Sequence, residues 1–228
     1  MSCLNYNTHE NISKNLVFID GIIRTGKALF SGIIPSLDSV EHINMSYFLD
    51  NIVPAVSFGS IEREYARALL RIILNETAYN TLLSRNMNFR QQDESGIFSY
   101  KDPAVYLQRL GREDGNGIVE ELRAKKFFFP FKTHNMLVNL DSLNKLDIDY
   151  YMVALFRHPI DIAYSWWKQG YGERFGNDPR TFTVTIEYNG VSVPWYCIGY
   201  EEEWLALNPM ERCVRPVTDL IKRAVSQY

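Results

Sequence analysis

The stretch Leu16-Val17-Phe18-Ile19-Asp20-Gly21-Ile22-Ile23-Arg24-Thr25-Gly26-Lys27-Ala28-Leu29-Phe30 decides the fold. Its apolar first half suits a buried strand, and Gly21 with Gly26-Lys27 satisfies G-x-x-x-x-G-K, the spacing of a phosphate-binding loop that feeds a helix. The next position normally carries Ser or Thr, whose hydroxyl holds Mg²⁺ on the β- and γ-phosphates; here it is Ala28, which argues against ordinary ATP or GTP chemistry. What remains is a cradle for an anion, made of backbone N–H groups, a helix N-terminus, and the cations Arg24 and Lys27.

Outward from this stretch, segment types alternate. A strand at Asn15–Asp20 is followed by a helix from Lys27 to about Leu37, a long amphipathic helix from Ile61, a strand near Phe127–Lys132 and a third at Tyr150–Phe156. In the long helix Ile61, Tyr65, Ala68, Leu69, Ile72, Ile73, Tyr79, Leu82 and Leu83 keep a three-four spacing, which predicts that they form the buried face. The expected fold is α/β, a P-loop-type parallel sheet flanked by helices, in a single domain over residues 1–228. Residues 57–125 read as a helical and loop insertion, with a short helix at Ala104–Leu110 inside a polar stretch from Arg90 to Asn116. Such a stretch serves equally well for substrate contacts or as a surface excursion. Between Thr181 and Trp195, Phe182, Val184, Ile186 and Tyr188 alternate with other residues. Asn189-Gly190 then supplies a tight turn, and Val191, Val193 and Trp195 alternate on the return, an added β-hairpin. The tail from Pro209 to Tyr228 reads as a helix with Val214, Val217, Leu220, Ile221 and Val225 on one side.

The bulk properties exclude several classes. The chain has 228 residues, 46% hydrophobic, 22% charged and 14% aromatic, enough for one sizeable core and too apolar for disorder. A net charge of −3 does not suggest a nucleic-acid partner. Cys3, Cys197 and Cys213 are too few and too scattered for a disulfide framework or a metal cage, so no metal is expected and a reducing compartment is the simpler assumption. Met1–Asn15 has neither a basic nor an apolar leader region, and no window approaches the ~20 apolar residues of a membrane span. The expectation is a soluble, cytoplasmic protein without a membrane partner.

Two further strand ends carry chemistry. Arg157-His158-Pro159-Ile160-Asp161 follows the third strand, with Pro159 suited to the first turn of a helix and Ser165 about two turns along it. In an open α/β sheet ligands bind at the C-terminal strand ends, so Arg157 is expected on the same edge as the Gly21–Lys27 loop. Two anion sites on one edge would suit a ligand with two separated phosphates. Phe131-Lys132-Thr133-His134 leaves another strand there, offering a cation and an imidazole for proton transfer. By itself His134 reads more readily as an ordinary strand-end histidine, and its neighbours bring the base reading level with that one. His158 reads as structural, capping or packing beside Pro159, His9 as disordered, and Asp161 as a first-turn acid favoured by the helix dipole. Trp166, Trp167 and Trp195 read as core or pocket walls, Glu201-Glu202-Glu203 as a solvated helix start, and Arg174 and Arg180 as either nucleotide contacts or surface.

Taken in order, these residues resemble the PAPS-dependent sulfotransferases. Arg24-Thr25-Gly26-Lys27 is similar to their 5′-phosphosulfate loop, Arg157-x-Pro159-x-Asp161-x-x-x-Ser165 to their 3′-phosphate motif, and Lys132-Thr133-His134 to the K-T-H of the cytosolic branch. The likeness spans about Leu16 to Trp167 and implies a divergent or C-terminally short member. It implies transfer of a sulfuryl group from 3′-phosphoadenosine 5′-phosphosulfate (PAPS) to a hydroxyl or amine of a small-molecule or carbohydrate acceptor. A sulfuryl group carries less negative charge than a γ-phosphoryl, so cations and backbone donors suffice without Mg²⁺, which fits Ala28. By the resemblance Arg24, Thr25, Gly26, Lys27 and the Ala28 N–H hold the 5′ end, Lys27 stabilising the leaving oxygen, while Arg157 and Ser165 bind the 3′-phosphate. His134 is the implied base, with Lys132 orienting the sulfonate or acceptor. Glu41, followed by Tyr47-Phe48-Leu49-Asp50, is the alternative base, after the carbohydrate and tyrosine sulfotransferases. Two other readings stay open: a Mg-dependent P-loop small-molecule kinase, and a non-catalytic nucleotide- or glycan-binding relative.

Overall fold

A computed structural model describes Tyr6 and residues 10–228; Cys3 and His9 lie outside the described residues. The chain opens with β1 (Leu16–Asp20), α1 (Lys27–Ile33), β2 (Asn44–Met45), α2 (Tyr47–Ser57) and α3 (Arg63–Leu83). It continues through α4 (Pro103–Arg109), α5 (Asn116–Ala124), β3 (Phe129–Lys132), α6 (Leu140–Asn144), β4 (Tyr150–Ala154), α7 (Pro159–Lys168) and α8 (Tyr171–Arg174). Last come β5 (Thr185–Tyr188), β6 (Val191–Pro194), α9 (Glu201–Ala206) and α10 (Glu211–Gln227).

β1 is apolar up to its last residue, Asp20, because both of its faces are covered: Leu16 and Phe18 enter one core cluster, Val17 and Ile19 another. It pairs in parallel with β3 (Leu16 opposite Phe129, Ile19 opposite Lys132) and with β4 (Leu16 opposite Tyr150, Asp20 opposite Ala154). The four-stranded order is β2-β3-β1-β4, all parallel, which puts the ends of β1, β3 and β4 on one edge. β5 and β6 form a separate antiparallel hairpin. Val193 and Trp195, on and just after β6, pack with Trp166 of α7 and Val217 and Leu220 of α10 in a second core. No described helix is long and apolar enough to cross a membrane.

Within residues 57–125, Leu70 and Leu74 of α3 and Ile118 and Leu122 of α5 share one core with Phe18 and Phe131. Two sequence expectations need correction. The buried stripe of α3 is Ala66, Leu70, Leu74, Ala78 and Leu82; of the expected face Leu82 and Leu83 are buried and Ile61, Leu69, Ile73 and Tyr79 pack partly buried against the same core, while Tyr65 and Ile72 are exposed. Two positions of this four-residue-spaced stripe, Ala66 and Ala78, are small and let α3 approach its neighbours closely, which outweighs the larger apolar side chains one position away. In α10 the buried side is Cys213, Pro216, Val217, Leu220 and Ala224, with Val214 and Val225 exposed. Burial pushes the Cys197 and Cys213 thiols up, to about 12 and about 11, so both are inert core residues.

Candidate functional site

The loop between β1 and α1 folds back on itself through unusual backbone angles. Arg24 and Gly26 adopt φ of +78° and +97°. Gly21, at +154°, packs so tightly that a Cβ there would lie 2.4 Å from the Leu155 carbonyl oxygen. Thr25 closes the turn, its hydroxyl donating to the Ile22 carbonyl at 2.9 Å, and Trp166 pins the loop by donating to the Ile23 carbonyl at 2.9 Å. Lys27, the first residue of α1, is buried under the loop and donates to the carbonyls of Gly21 and Ile22. Burial lowers its ammonium to about 8, against the upward pull of Asp20 and Asp50. Asp20, fully buried at the end of β1, accepts from the backbone N–H groups of Met136 (3.1 Å) and Leu137 (2.9 Å). Burial raises its carboxyl, with the Lys27 charge opposing.

The loop and the residues after β4 meet. Arg157 donates to the Arg24 carbonyl at 3.1 Å and lies 3.8 Å from Asp161, and Arg24 Nε donates to Ser165 Oγ at 2.8 Å. The first and third motifs are thus brought together. Ser165 serves Arg24 as an acceptor and does not line the cavity that Arg24 and Arg157 share. His158 is exposed, and its side chain makes no capping bond to α7, so the capping role does not hold.

At the end of β3, Thr133 is buried and its neighbours face outward into the same cavity. His134 Nδ1 lies 2.8 Å from Asp50 Oδ2, and its backbone N–H donates to Asp50 Oδ1 at 2.6 Å. Asp50 is buried in the first turn of α2, whose N-cap Ser46 accepts from the Leu49 N–H. Pro54, one turn later, has no N–H to give back to the Asp50 carbonyl. Asn135 Nδ2 takes that free carbonyl at 3.0 Å, so the helix defect ties α2 to the residue after His134. Lys132 Nζ pairs with Glu94 Oε2 at 2.7 Å.

These groups line one open cavity of about 440 Å³. Its walls hold Lys27 and Ala28 from the start of α1, Lys132, His134, Asp50 and Glu94, and also Arg24 and Arg157. Arg174 and Arg180 also reach it; both pair with Asp178, whose carboxyl the Arg180 contacts hold well below the usual carboxylate range. Tyr47 and Phe182, with ring centroids 4.6 Å apart, stand at its side.

Glu41 is elsewhere. It is buried, receives two bonds from Arg109 (2.7 and 2.9 Å) and one from the Tyr106 hydroxyl (2.6 Å), and does not line the cavity. Three of the carboxylate's four lone-pair sites are taken by this clamp, away from the cavity, which gives Glu41 a structural part. Trp166 and Trp195 are core residues, and Trp167 is partly exposed away from the cavity.

Asp50 and Glu94 are the functional candidates that motif reading missed. Asp50 sits 84 residues from His134, and the only sequence signal for it is an acid in the first turn of a capped helix. Glu94 comes from the polar stretch after α3, where nothing in the pattern marks one acid among several. No family model matches the chain, and neither curated proteins nor solved structures include a significant match to it.

Proposed function

We propose that the chain is a sulfotransferase that moves a sulfuryl group from PAPS to a hydroxyl acceptor. The observation that carries this reading is that an oriented imidazole, His134 on Asp50, and a loop-buried lysine, Lys27, line one cavity together with Arg24 and Arg157. In this reading Asp50 accepts from Nδ1–H, which leaves Nε2 as the acceptor nitrogen of a ring that lines the cavity. In this reading Nε2 takes the proton of the acceptor hydroxyl as its oxygen bonds to sulfur and the sulfur–oxygen bond to the 5′-phosphate breaks. The products are a sulfate ester, 3′-phosphoadenosine 5′-phosphate (PAP) and the proton on His134. Lys27 neutralises the charge that gathers on the departing phosphate, leaving the Gly21 and Ile22 carbonyls for it. Arg24 and Arg157 hold the phosphates of the nucleotide, Arg157 with a guanidinium fork.

Calorimetric titration with PAP and with ATP, each with and without Mg²⁺, tests the reading. PAP is expected to bind without metal, and Arg157→Ala to weaken it by about tenfold or more. Mg-dependent binding of ATP in place of PAP would instead establish a kinase. Binding of PAP with no sulfuryl transfer to any of a broad panel of hydroxyl acceptors would establish a non-catalytic nucleotide-binding protein.

A further inference from the structure

Lys132 does not stand free in the cavity. Glu94 Oε2 accepts from it at 2.7 Å, and the Ser31 side chain lies against the same carboxylate.

The segment that carries Glu94 is constructed to hold it there. Asn88 Nδ2 donates to Asp93 Oδ2 and Ser95 Oγ, each at 3.0 Å, and Asn88 Oδ1 accepts from the Arg90 N–H at 2.9 Å. The Gly96 N–H donates to the Asp93 carbonyl at 2.9 Å, and Ser99 Oγ to the Glu94 carbonyl at 2.7 Å. Ile97, completely buried, anchors the turn. At Gly96 a Cβ would stand 2.1 Å from the Arg90 carbonyl oxygen, so the turn closes only around glycine.

Charge on the cavity wall falls into two groups. Arg24 and Arg157 form one, joined by the bond from Arg157 to the Arg24 carbonyl. In the other, Lys27 feels Asp20, Asp50 and Glu94, and Lys132 is matched by Glu94. Burial works to raise the Glu94 carboxyl, but Lys132, with Ser31 and His134, outweighs it and holds the group below its ordinary value. A region whose cations are already offset by carboxylates tolerates one more negative charge and penalises two.

Resting on the sulfuryl-transfer reading, we propose that Glu94 is a specificity-determining residue: its fixed charge beside Lys132 lets the site accept a singly charged sulfuryl end and reject a doubly charged terminal phosphoryl. A terminal phosphate carries close to −2 at neutral pH, a sulfate ester −1, and the two groups have nearly the same shape. Shape cannot separate them; a carboxylate at the reactive end can.

The test compares PAPS with 3′-phosphoadenosine 5′-diphosphate, which puts phosphate where PAPS has sulfate, by calorimetry on the full chain. Wild type is expected to favour PAPS by about tenfold or more, and Glu94→Gln to bring the two within about threefold, mainly by gaining affinity for the diphosphate. Glu94→Asp, which keeps the charge, retains the preference. A lost carboxylate that merely loosened the fold would weaken both ligands together, so a selective gain is the diagnostic result. Equal affinities in wild type, or a ratio unchanged in Glu94→Gln, overturn the role of Glu94 and leave the transfer reading standing. Failure of wild type to bind PAP, PAPS or the diphosphate overturns the transfer reading and this proposal with it.

Discussion

Asp50 binds His134 twice, through the ring at 2.8 Å and through the backbone N–H at 2.6 Å, and both oxygens of the carboxylate are used. One buried side chain thus fixes the tautomer of the imidazole and the position of the strand end that carries it. Asn135, bonded to the Asp50 carbonyl that Pro54 leaves free, adds a third tie between the same two segments. Lost separately, these ties have separable consequences.

Asp50→Asn keeps the volume but removes the charge that stabilises a protonated His134. Sulfuryl transfer, followed as PAP release with any acceptor that wild type turns over, is expected to fall by about 10²–10³-fold, while PAP affinity stays within about twofold. Asp50→Ala in addition leaves the His134 N–H unpaired in a buried site and is expected to cost about 2–3 kcal/mol in urea unfolding. Full transfer activity in Asp50→Asn would remove the dyad from the mechanism.

Glu41 and Arg109 serve as the contrast. Their side chains are 6% and 12% exposed, so Arg109→Met strands a buried carboxylate and is expected to cost about 3–5 kcal/mol. Glu41→Gln, which keeps a hydrogen-bond partner for Tyr106, is expected to leave PAP affinity and transfer within about threefold of wild type when measured below its melting temperature. A loss of transfer beyond about a hundredfold in Glu41→Gln, with the fold intact, would return the base to Glu41.

What could be read from the sequence follows from how local its causes are. β1, the Gly21–Lys27 loop and the hairpin around Asn189-Gly190 are set by neighbouring residues: two-sided burial, glycine angles and turn chemistry. Arg157 could be placed near the loop because parallel pairing of β4 with β1 brings their ends to one edge. Asp50 could not be linked to His134, because the link depends on how α2 lies against the end of β3, and Pro54 makes α2 look broken in sequence. Glu94 was hidden for a related reason: an acid in a polar loop gains meaning only once Lys132 is found opposite. The misplaced face of α3 has another origin, since periodicity weights large side chains whereas close helix packing selected Ala66 and Ala78.

The two loop glycines predict different penalties. At Gly21 an added Cβ meets the Leu155 carbonyl at 2.4 Å in a backbone conformation unfavourable to other residues, so Gly21→Ala must push the end of β4 away from β1. The expected cost is about 2–4 kcal/mol, together with loss of PAP binding. At Gly26, φ is +97° but nothing lies within 4 Å of a Cβ, so Gly26→Ala pays conformational strain alone, about 1–2 kcal/mol. Urea unfolding of the pair decides the matter: equal penalties would mean that the close approach at Leu155 is not a constraint.

Lys27 predicts a pH dependence. In the free protein burial holds its ammonium down to about 8, with Asp20, Asp50 and Glu94 pulling it up and Lys132 adding to the depression. A polyanionic nucleotide supplies negative charge beside it and raises its pKa, so between the free and bound values binding takes up a proton. PAP affinity is therefore expected to be full below about pH 8 and to fall above it, by at most about tenfold per pH unit, until the bound value is reached. Calorimetry from about pH 7 to about pH 9.5 in buffers of different ionisation enthalpy reads both the slope and the proton uptake. Lys27→Arg, charged throughout this range, is expected to flatten the profile. A wild-type profile that is level across the window, with no proton taken up, would show that Lys27 does not meet the anion.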